Sequence, residues 1–472
     1  MKESLGPLAP EIILAASAVG GLLAGSWLPR RRQWLTGAAA AAACLAGLAA
    51  AGLDATQPAT TDFGTSYDID VATGMVRIIV LAALLLVLGL SAGPVAGHPR
   101  ETEFYVLLQL AALGTIVLAG AGDLLLLFAG YLLASVPGYV LAGFAKDGPG
   151  TEAALKYYLI GALLGVFMLA GITVLDGAGG TTSYPLLHAS LRAAPHGIVV
   201  AGVLAVLAGL LFKAGAVPGH FWVPDVTEGS SAPVAAFITT VPKIGAFAAL
   251  LRLLTTAIPP AAVDWPTLAA VLAAATMTLG NLAAFFQTSV KRLLAYSTIS
   301  QAGYLLMAIA AGRSALATRS LLFYLAAYAV TNLGAFAVVT ELPDATTLDS
   351  YRGLARRHPG LAAVLVVCLL GLVGTPPTAV FLGKLEIFTA TIDGGYAWLA
   401  ALAVANTIAS LFYYLRWLAP AFLRQPATTQ PDPLRAAGGR AAAVAYAAGT
   451  ASLALGIAAG AVLPLLTGTL LR

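Results

Sequence analysis

Charged residues are scarce in this 472-residue chain: only 10% are Asp, Glu, Lys or Arg, against about 25% in an average soluble domain. Hydrophobic residues make up 59%, and the mean hydropathy is +0.89. A soluble protein of this size needs far more polar residues to cover its surface. The composition therefore excludes a cytosolic enzyme, a nucleic-acid-binding protein and a disordered tail, and it indicates an all-α polytopic membrane protein.

Cysteine and histidine are also scarce, which limits the cofactors that the chain could hold. Cys44 and Cys368 lie inside apolar runs, so we expect no disulfide, and two cysteines are too few for a zinc or iron–sulfur ligand set. The histidines all fall in connecting segments, at His98, His188, His196, His220 and His358. Haem ligation within the membrane would therefore lack its commonest ligand. We expect no metal and no cofactor on this chain.

Long apolar runs dominate the chain instead. A helix that crosses the hydrocarbon core needs about 20 mostly apolar residues. Stretches of this kind number 14 and lie at roughly 8–28, 34–53, 75–95, 102–120, 123–144, 155–175, 197–217, 232–254, 266–286, 293–312, 318–340, 360–383, 395–421 and 440–466. We call them spans 1 to 14. The loops between them are too short for a soluble domain, so the sequence predicts one membrane domain over residues 1–472.

The basic residues predict how the chain is oriented in the membrane. Arg30, Arg31 and Arg32 follow span 1, and most of the other basic loop residues fall on the same side as these three. The acidic segment from Asp54 to Asp70 falls on the opposite side. Because cytoplasmic loops are enriched in Lys and Arg, we expect both termini on the outer side of the membrane.

Four basic residues remain within or directly beside the predicted spans: Lys213, Lys243, Lys384 and Arg416. A charge near the bilayer centre costs at least ~2.5–3.5 kcal/mol on insertion scales, so such residues are rare and usually functional. Arg416 lies near a cytoplasmic helix end, from which its side chain can reach the interface. Burial disfavours the charged form of a lysine, which allows it to exchange protons near neutral pH. The three lysines are therefore candidate proton carriers, unless each snorkels or packs against helix carbonyls.

Two of these lysines lie beside interruptions of spans 7 and 12. Glycine and proline mark each interruption, and proline removes a backbone hydrogen bond; the residues are Gly215 and Pro218 in span 7, and Gly374, Pro376 and Pro377 in span 12. Interrupted helices at membrane depth line hydrated cavities and mark transporter sites. Spans 7 and 12 are five apart and run in opposite directions, as in an inverted repeat. The predicted division is three helices in 1–100, repeats at 101–254 and 266–421, and a last helix at 440–466.

Several motifs follow one another in order along the chain. The longest, KAGAVPGHFWVPDVTEGSSAPV, runs from Lys213 to Val234. The others are PEIIL at 10–14, EAALKY at 152–157, AAFITTVPK at 235–243, KRLLAYSTISQAGY at 291–304, YAVTNLGAF at 328–336 and GTPPTAVFLGK at 374–384. Together they resemble the antiporter-like subunits of respiratory complex I, and within that family the subunit N proteins of bacterial NADH-quinone oxidoreductase. The resemblance covers nearly the whole chain.

This resemblance implies a membrane-arm subunit with 14 helices and no redox group of its own. In the family, a central row of lysines and acids carries protons through two half-channels that meet at broken helices 7 and 12. Carried over by position, these roles fall to Lys213, Lys243 and Lys384, with Lys156 on helix 6 near the cytoplasmic opening. The implied partners are other membrane-arm subunits and the lipid bilayer, without nucleic acid. NADH, FMN, iron–sulfur clusters and quinone are expected on the partner subunits.

Two positions depart from the family pattern, and both lose a group that can bind a proton. The family has a glutamate five residues before the proline that is Pro137 here, and this chain has Leu132 at that position. The family often has a histidine where this chain has Gln301, whose amide forms hydrogen bonds but does not titrate. Lys213 thereby loses its expected counter-charge. Such changes fit a divergent paralogue.

The segment around Gln301 is a candidate for the wall of a hydrated path. The candidate lining residues are Tyr296, Ser297, Ser300, Gln301 and Tyr304. The alternative is that their polar groups only bond to helix carbonyls. Glu386 lies two residues after Lys384, where it could either modulate that lysine or belong to a solvated loop.

The leading hypothesis is a proton-translocating membrane-arm subunit of a complex I-like NADH:quinone oxidoreductase in a bacterial inner membrane. Two alternatives stay open. One is a subunit of a multisubunit cation/proton antiporter or membrane-bound hydrogenase, which the shared ancestry allows. The other is a scaffold subunit that no longer moves protons, which the loss of the glutamate allows.

Overall fold

The computed structural model describes residues 6–55, 57–424, 433–468 and 470–471. Within these ranges, 13 helices are long and apolar enough to cross a membrane. Predicted span 12 is divided into two shorter helices, so it completes the set of 14 spans. Their bounds are Ala9–Trp27, Trp34–Asp54, Val71–Ser91, Glu101–Gly120, Leu124–Ala142, Gly148–Gly179, His196–Ala214 with Trp222–Gly229 (span 7), Ala232–Arg252, Trp265–Ala284, Val290–Ala310, Ala317–Glu341, Pro359–Val373 with Ala379–Asp393 (span 12), Ala397–Phe422 and Arg440–Ile457. The predicted all-helical membrane fold is confirmed.

Several loops contain short elements that hydropathy does not predict. A two-stranded antiparallel hairpin pairs Thr60–Asp62 with Tyr67–Ile69 in the loop before span 3. Short helices occupy Tyr184–Ser190, Leu354–Arg357 and Ala459–Val462. The predicted loop at 422–439 lies partly outside the described residues. These elements are too short to cross a bilayer, so they change the loops and not the membrane architecture.

Local side chains explain where some spans begin. Span 6 is longer than the predicted 155–175, because the carboxylate of Asp147 caps its first turn by accepting from Gly150 N at 2.8 Å. Asp70 caps span 3 in the same way, with Ala72 N at 3.1 Å and Thr73 N at 3.2 Å. Such caps satisfy backbone N–H groups that have no partner within the helix. Hydropathy windows miss these polar first turns.

Burial increases towards the middle of the bundle. Every residue in the most apolar window of span 8 is buried, and spans 10 and 11 are buried over 94% and 89% of theirs. The corresponding share is near one third for spans 1, 2, 6 and 14. Spans 8, 10 and 11 therefore form the core, and polar groups on them are shielded from both lipid and water.

Spans 7 and 12 are both interrupted, as predicted. The first half of span 7 is capped by Gly215, with φ of +66°, and the first half of span 12 is capped by Gly374, with φ of +95°. Glycine adopts this left-handed conformation without the steric cost that a side chain imposes. Pro218, Pro376 and Pro377 lie within the two interruptions. Backbone carbonyls at these breaks are released from the helical ladder and can meet side chains.

Candidate functional site

Lys213 lies in the last turn of the first half of span 7 and is fully buried. Its ammonium group, Nζ, has no hydrogen-bond partner among the described residues. It lies over the ring of Tyr131 on span 5, whose centroid is 5.4 Å from Nζ. An ammonium group without a counter-charge is costly at membrane depth. Among the described residues, Lys213 is therefore a buried amine that belongs to no ion pair.

Lys243 lies on span 8, the most deeply buried helix, directly after Pro242. Its Nζ donates to the carbonyl of Thr298 on span 10 at 3.0 Å. The same side chain borders the break of span 7: a Cβ built on Gly215 would lie 3.2 Å from Lys243 Nζ. The break therefore lets the lysine side chain lie against the backbone. Lys243 bridges spans 7 and 10.

Lys384 lies on the second half of span 12, beyond the predicted end of that span, and its side chain reaches back to the break. Its Nζ donates to the carbonyl of Val373, the last residue of the first half, at 2.8 Å. It also lies 4.0 Å from the ring centroid of Tyr304 and 3.4 Å from Thr407 Oγ1. The break of span 12 thus supplies the carbonyl that holds the lysine.

Span 10 provides polar groups between Lys243 and Lys384. Thr298, which accepts from Lys243 through its carbonyl, also pairs its hydroxyl with Tyr328 at 2.6 Å. One turn further, Gln301 donates from Nε2 to the carbonyl of Leu372 at 2.9 Å and accepts from Tyr324. Leu372 precedes the residue that binds Lys384. Buried polar groups of span 10 therefore lie between the two lysines, and the hydrogen bonds among the described residues fall into two groups, one at Lys243 and one at Lys384.

The other predicted lining residues are placed along the same helix. Ser297 pairs with the hydroxyl of Tyr414 at 2.5 Å, and Tyr304 pairs with Thr407 at 3.0 Å. Ser300 is buried, and its hydroxyl has no hydrogen-bond partner among the described residues. Tyr296 is half-buried. Ser297 and Tyr304 therefore bond to side chains of another helix. They do not bond only to carbonyls of their own helix, which was the alternative to a lining role.

Lys156 lies apart from the buried lysines, on the first turns of span 6. Its side chain is 41% exposed and forms salt bridges with Glu152 at 2.6 Å and with Asp225 at 2.7 Å. Asp225 belongs to the second half of span 7 and also pairs with Arg292 at 2.9 Å. Lys156 is thus linked to the core through the short helix that follows the break.

Two predictions about charged residues meet different outcomes. Glu386 forms a salt bridge with Arg319 at 2.7 Å. Its main partner is therefore Arg319, and neither Lys384 nor the solvent. The expectation that it belongs to a solvated loop is wrong, because it lies on a helix and is paired. Arg416 is exposed and donates to the carbonyls of Phe285 and Gln287, in agreement with a side chain that reaches the interface.

Two buried arginines, Arg77 and Arg252, were not singled out from the sequence. Arg252, at the end of span 8, is fully buried and binds Asp68 at 2.9 Å and Asp70 at 2.7 Å. Burial alone would raise the pKa of Asp70, but the charge and hydrogen bonds of Arg252 hold it below the ordinary value. Arg77 similarly binds Glu11 at 2.7 Å and Asp54 at 3.3 Å. The signal in the sequence was the acidic segment, whose partners lie far along the chain.

The two departures from the family pattern also have structural counterparts. Leu132 is 42% exposed, and the inward-facing residue of that turn is Tyr131. In the part of the chain that the structure describes, Lys213, Lys243 and Lys384 form no salt bridge. Gln301 lies among the buried polar groups of span 10 and has two hydrogen-bond partners, Leu372 and Tyr324. Hydrogen bonds and aromatic rings, not carboxylates, surround the buried lysines.

No metal centre is found among the described residues, because no group of three or more His, Cys, Asp or Glu side chains could hold an ion. Cys44 and Cys368 are buried free thiols. The site is therefore composed of amines, hydroxyls, amides and carbonyls, which can bind, pass and release protons.

Comparisons with known proteins agree with this arrangement. Residues 121–410 match the family model described as NADH:quinone oxidoreductase/Mrp antiporter, TM. The chain is 59% identical to NADH-quinone oxidoreductase subunit N 1 of Streptomyces griseus, over 97% of this chain and 96% of that protein. It is 51% identical to NADH-quinone oxidoreductase subunit N of a Mycobacterium species, over 99% of both.

Solved structures show the same fold. A chain of respiratory complex I from Thermus thermophilus with bound aureothin is 35% identical, with a TM-score of 0.84 over 98% of this chain and all of that one. A chain of the Mrp complex from a Dietzia species has a TM-score of 0.87 over 98% and 96%, and its 22% identity supports the fold alone. The chain therefore belongs to the NADH:quinone oxidoreductase/Mrp antiporter transmembrane family and, within it, to the subunit N proteins of NADH-quinone oxidoreductase.

Proposed function

We propose that this chain is a proton-translocating membrane-arm subunit of a complex I-like NADH:quinone oxidoreductase in a bacterial inner membrane. One observation carries the proposal: Lys243 at the break of span 7 and Lys384 at the break of span 12 are both buried, and buried polar groups of span 10 lie between them. The subunit N relatives, which match over nearly their full length, support it. Quinone reduction would occur elsewhere in the complex.

The mechanism follows from what each group can do. Lys213 and Lys243 border the same break, so a proton can move between their amines through a short water bridge. Between Lys243 and Lys384 the proton would pass along waters that the hydroxyls of Thr298 and Tyr328 and the amide of Gln301 orient. A change in charge on a neighbouring subunit would shift the balance between protonated and neutral lysines. Lys156, paired with Asp225, would supply protons at the cytoplasmic opening.

We further propose that residues 101–254 and 266–421 are the two inverted repeats. Matching backbone bonds support this division: Leu124 N donates to Thr182 O and Val290 N to Thr346 O, each at 3.0 Å. The return bonds, Tyr184 N to Gly122 O and Leu348 N to Thr288 O, are also both 3.0 Å. The first set precedes span 5 and the second precedes span 10, which start from opposite faces of the membrane.

The proposed orientation has both termini outside. Its support is that charges are segregated: Arg30, Arg31 and Arg440 border one cavity on the basic face, whereas Asp68 and Asp70 lie on the other face. Because Cys44 and Cys368 are buried, new surface cysteines can be labelled selectively. The test uses spheroplasts, in which the inner membrane is intact and its outer face is accessible to an impermeant maleimide. A59C should react and R31C should not, and the reverse pattern would contradict the orientation.

The redox groups are proposed to reside on partner subunits. This chain would hold no cofactor, while NADH, FMN, iron–sulfur clusters and quinone would bind elsewhere in the assembly. Its own partners would be other membrane-arm subunits and the bilayer, without nucleic acid. Gentle solubilisation of a tagged chain, followed by mass spectrometry, should recover NADH-oxidising and quinone-site subunits. Recovery of antiporter subunits alone would favour a cation/proton antiporter instead.

The decisive experiment measures the proton-to-electron ratio of the assembled complex in sealed inverted vesicles. Lys213→Ala and Lys384→Ala should each lower this ratio, because each removes an amine from the path. Lys146→Ala is the matched control, since Lys146 is exposed and lies in a loop. The scaffold alternative, which the exposed Leu132 keeps open, requires that the ratio stays unchanged in fully assembled complexes carrying either path variant.

A further inference from the structure

In each half of the molecule, the lysine of the broken helix lies against the ring of a tyrosine. Lys213 Nζ is 5.4 Å from the ring centroid of Tyr131, and Lys384 Nζ is 4.0 Å from that of Tyr304. Tyr131 belongs to span 5 and Tyr304 to span 10, each two spans before the broken helix that it faces. The same relation therefore occurs twice, in the two segments proposed to be repeats.

Both rings are held in place by their hydroxyls, which bond elsewhere. The hydroxyl of Tyr131 donates to the carbonyl of Gly161 at 3.1 Å. The hydroxyl of Tyr304 pairs with Thr407 Oγ1 at 3.0 Å. Both tyrosines are fully buried. Space for the first ring comes from Gly165, since a Cβ there would lie 3.2 Å from Tyr131 Cε1. The tyrosines therefore meet the lysines with their rings.

The ring is the principal neighbour of Lys213 that can stabilise a positive charge. Its Nζ has no hydrogen-bond partner and no carboxylate partner among the described residues. A cation within about 6 Å of a tyrosine centroid is attracted by the negative face of the ring, and the attraction grows when both groups are shielded from water. Lys384 combines the ring with the carbonyl of Val373.

We propose that Tyr131 and Tyr304 are the partners that stabilise the protonated forms of Lys213 and Lys384, in place of carboxylates. The inference rests on the proposed proton-translocating function. A neutral ring has a physical advantage over a carboxylate, because it leaves no unpaired buried anion when the lysine gives up its proton. The amine can then alternate between two states without separating an ion pair.

The predicted effect can be stated as a change in the protonation equilibrium. Removing a shielded cation–ring contact should lower the ratio of protonated to neutral lysine by about 30-fold, which is ~2 kcal/mol at 1.36 kcal/mol per factor of ten. Tyr131→Leu removes the ring and retains an apolar side chain. Tyr131→Phe retains the ring and loses only the hydroxyl, with its bond to Gly161. The first variant should lower the proton-to-electron ratio of the assembled complex, and the second should largely preserve it.

A graded series separates this effect from packing. Phenylalanine and its increasingly fluorinated analogues, introduced at position 131 by stop-codon suppression, keep nearly the same shape while the negative face of the ring weakens. The proton-to-electron ratio should fall steadily along the series. The same series at Tyr351 is the control, because Tyr351 is a buried tyrosine that packs on Trp417 at 5.2 Å between centroids. There the ratio should not change.

The outcomes distinguish this inference from the proposed function. If Lys213→Ala lowers the ratio but neither Tyr131→Leu nor fluorination does, the tyrosine is not the partner and the proton path remains supported. If Lys213→Ala itself leaves the ratio unchanged, the proposed function fails. Should Tyr131→Leu prevent assembly, the fluorinated series still decides, because those side chains preserve the ring volume. Lys384 is tested in the same way through Tyr304.

Discussion

At the scale of single residues, the environment of each buried amine decides what it can do. The amines of Lys243 and Lys384 donate hydrogen bonds to backbone carbonyls at 3.0 and 2.8 Å. The amine of Lys213 lies over the ring of Tyr131 and has no hydrogen-bond partner among the described residues. A hydrogen bond to a carbonyl stabilises an ammonium group moderately, and an ion pair would hold it firmly. The described contacts thus hold none of the three lysines in an ion pair, as the proposed proton path requires.

Gln301 offers a test at the same scale. Gln301→Leu would leave the carbonyl of Leu372 and the hydroxyl of Tyr324 without this partner, at a cost of about 1–3 kcal/mol for each buried group left unpaired. We expect a lower thermal stability of the purified complex and a lower proton-to-electron ratio. Ser17→Ala is the control, because the Ser17 hydroxyl lies on span 1, away from the lysines, and has no partner to lose among the described residues. Equal effects of the two variants would contradict the role of Gln301.

At the scale of elements, the two broken helices organise the site. At the break of span 7, any side chain in place of Gly215 would put its Cβ 3.2 Å from Lys243 Nζ. An unbroken span 12 would not release the carbonyl of Val373, which binds Lys384. Glycine in the left-handed conformation ends the first half in both cases. The interruptions are therefore necessary for the lysine contacts observed.

The break of span 7 can be tested through Gly215. Gly215→Ala requires a left-handed alanine, which costs roughly 1–2 kcal/mol, and its Cβ would lie 3.0 Å from Val223 Cγ2 and 3.2 Å from Lys243 Nζ. The variant should lower both the thermal stability and the proton-to-electron ratio. Gly52→Ala is the matched control: Gly52 is exposed on span 2 with nothing within 4 Å of its Cβ position, so stability should stay equal or rise slightly.

At the scale of the whole molecule, buried ion pairs join the first three spans to the core. Arg252 on span 8 binds Asp68 and Asp70 before span 3, and Arg77 on span 3 binds Glu11 on span 1. Removing one partner of such a pair costs about 3–5 kcal/mol, because the remaining charge stays buried. These pairs therefore contribute to the assembly of the bundle and do not belong to the line of lysines.

Asp70 contributes to the pH dependence of stability, and its neighbour Asp68, whose pKa is raised by burial, contributes in the opposite direction. Because the pKa of Asp70 is lowered in the folded chain, its ionised form adds stability at every pH above its unfolded value of about 3.9. That stability is lost as the pH falls through the lowered folded value. Asp70→Asn should thus reduce the thermal stability at pH 7, and its difference from the native chain should narrow in acid. Asp176→Asn, at an exposed position, should change neither the thermal stability nor its dependence on pH. If Asp70→Asn differed from the native chain by the same amount at pH 7 and in strong acid, the role of Asp70 would be contradicted.

Most of the membrane architecture could be predicted from local sequence. Apolar runs of sufficient length must be helical in a bilayer, and glycine clustered with proline predicted the two breaks, whereas the isolated Pro137 and Pro242 lie inside continuous helices. The candidate lysines stood out for the same reason, as rare charges in apolar surroundings. Errors arose at span ends, where polar caps such as Asp147 extend a helix beyond its apolar run.

Only the tertiary structure decided which groups these residues meet. Arg252 contacts Asp68, which lies 184 positions away in the sequence. Glu386 forms its salt bridge with Arg319 and not with Lys384. On span 5, Tyr131 is buried and Leu132 is exposed. Such contacts depend on how helices rotate and pack against one another, which neither hydropathy nor spacing specifies. The sequence by itself therefore determined the spans, their breaks and the candidate carriers, and the packing of the bundle determined the partners of each carrier.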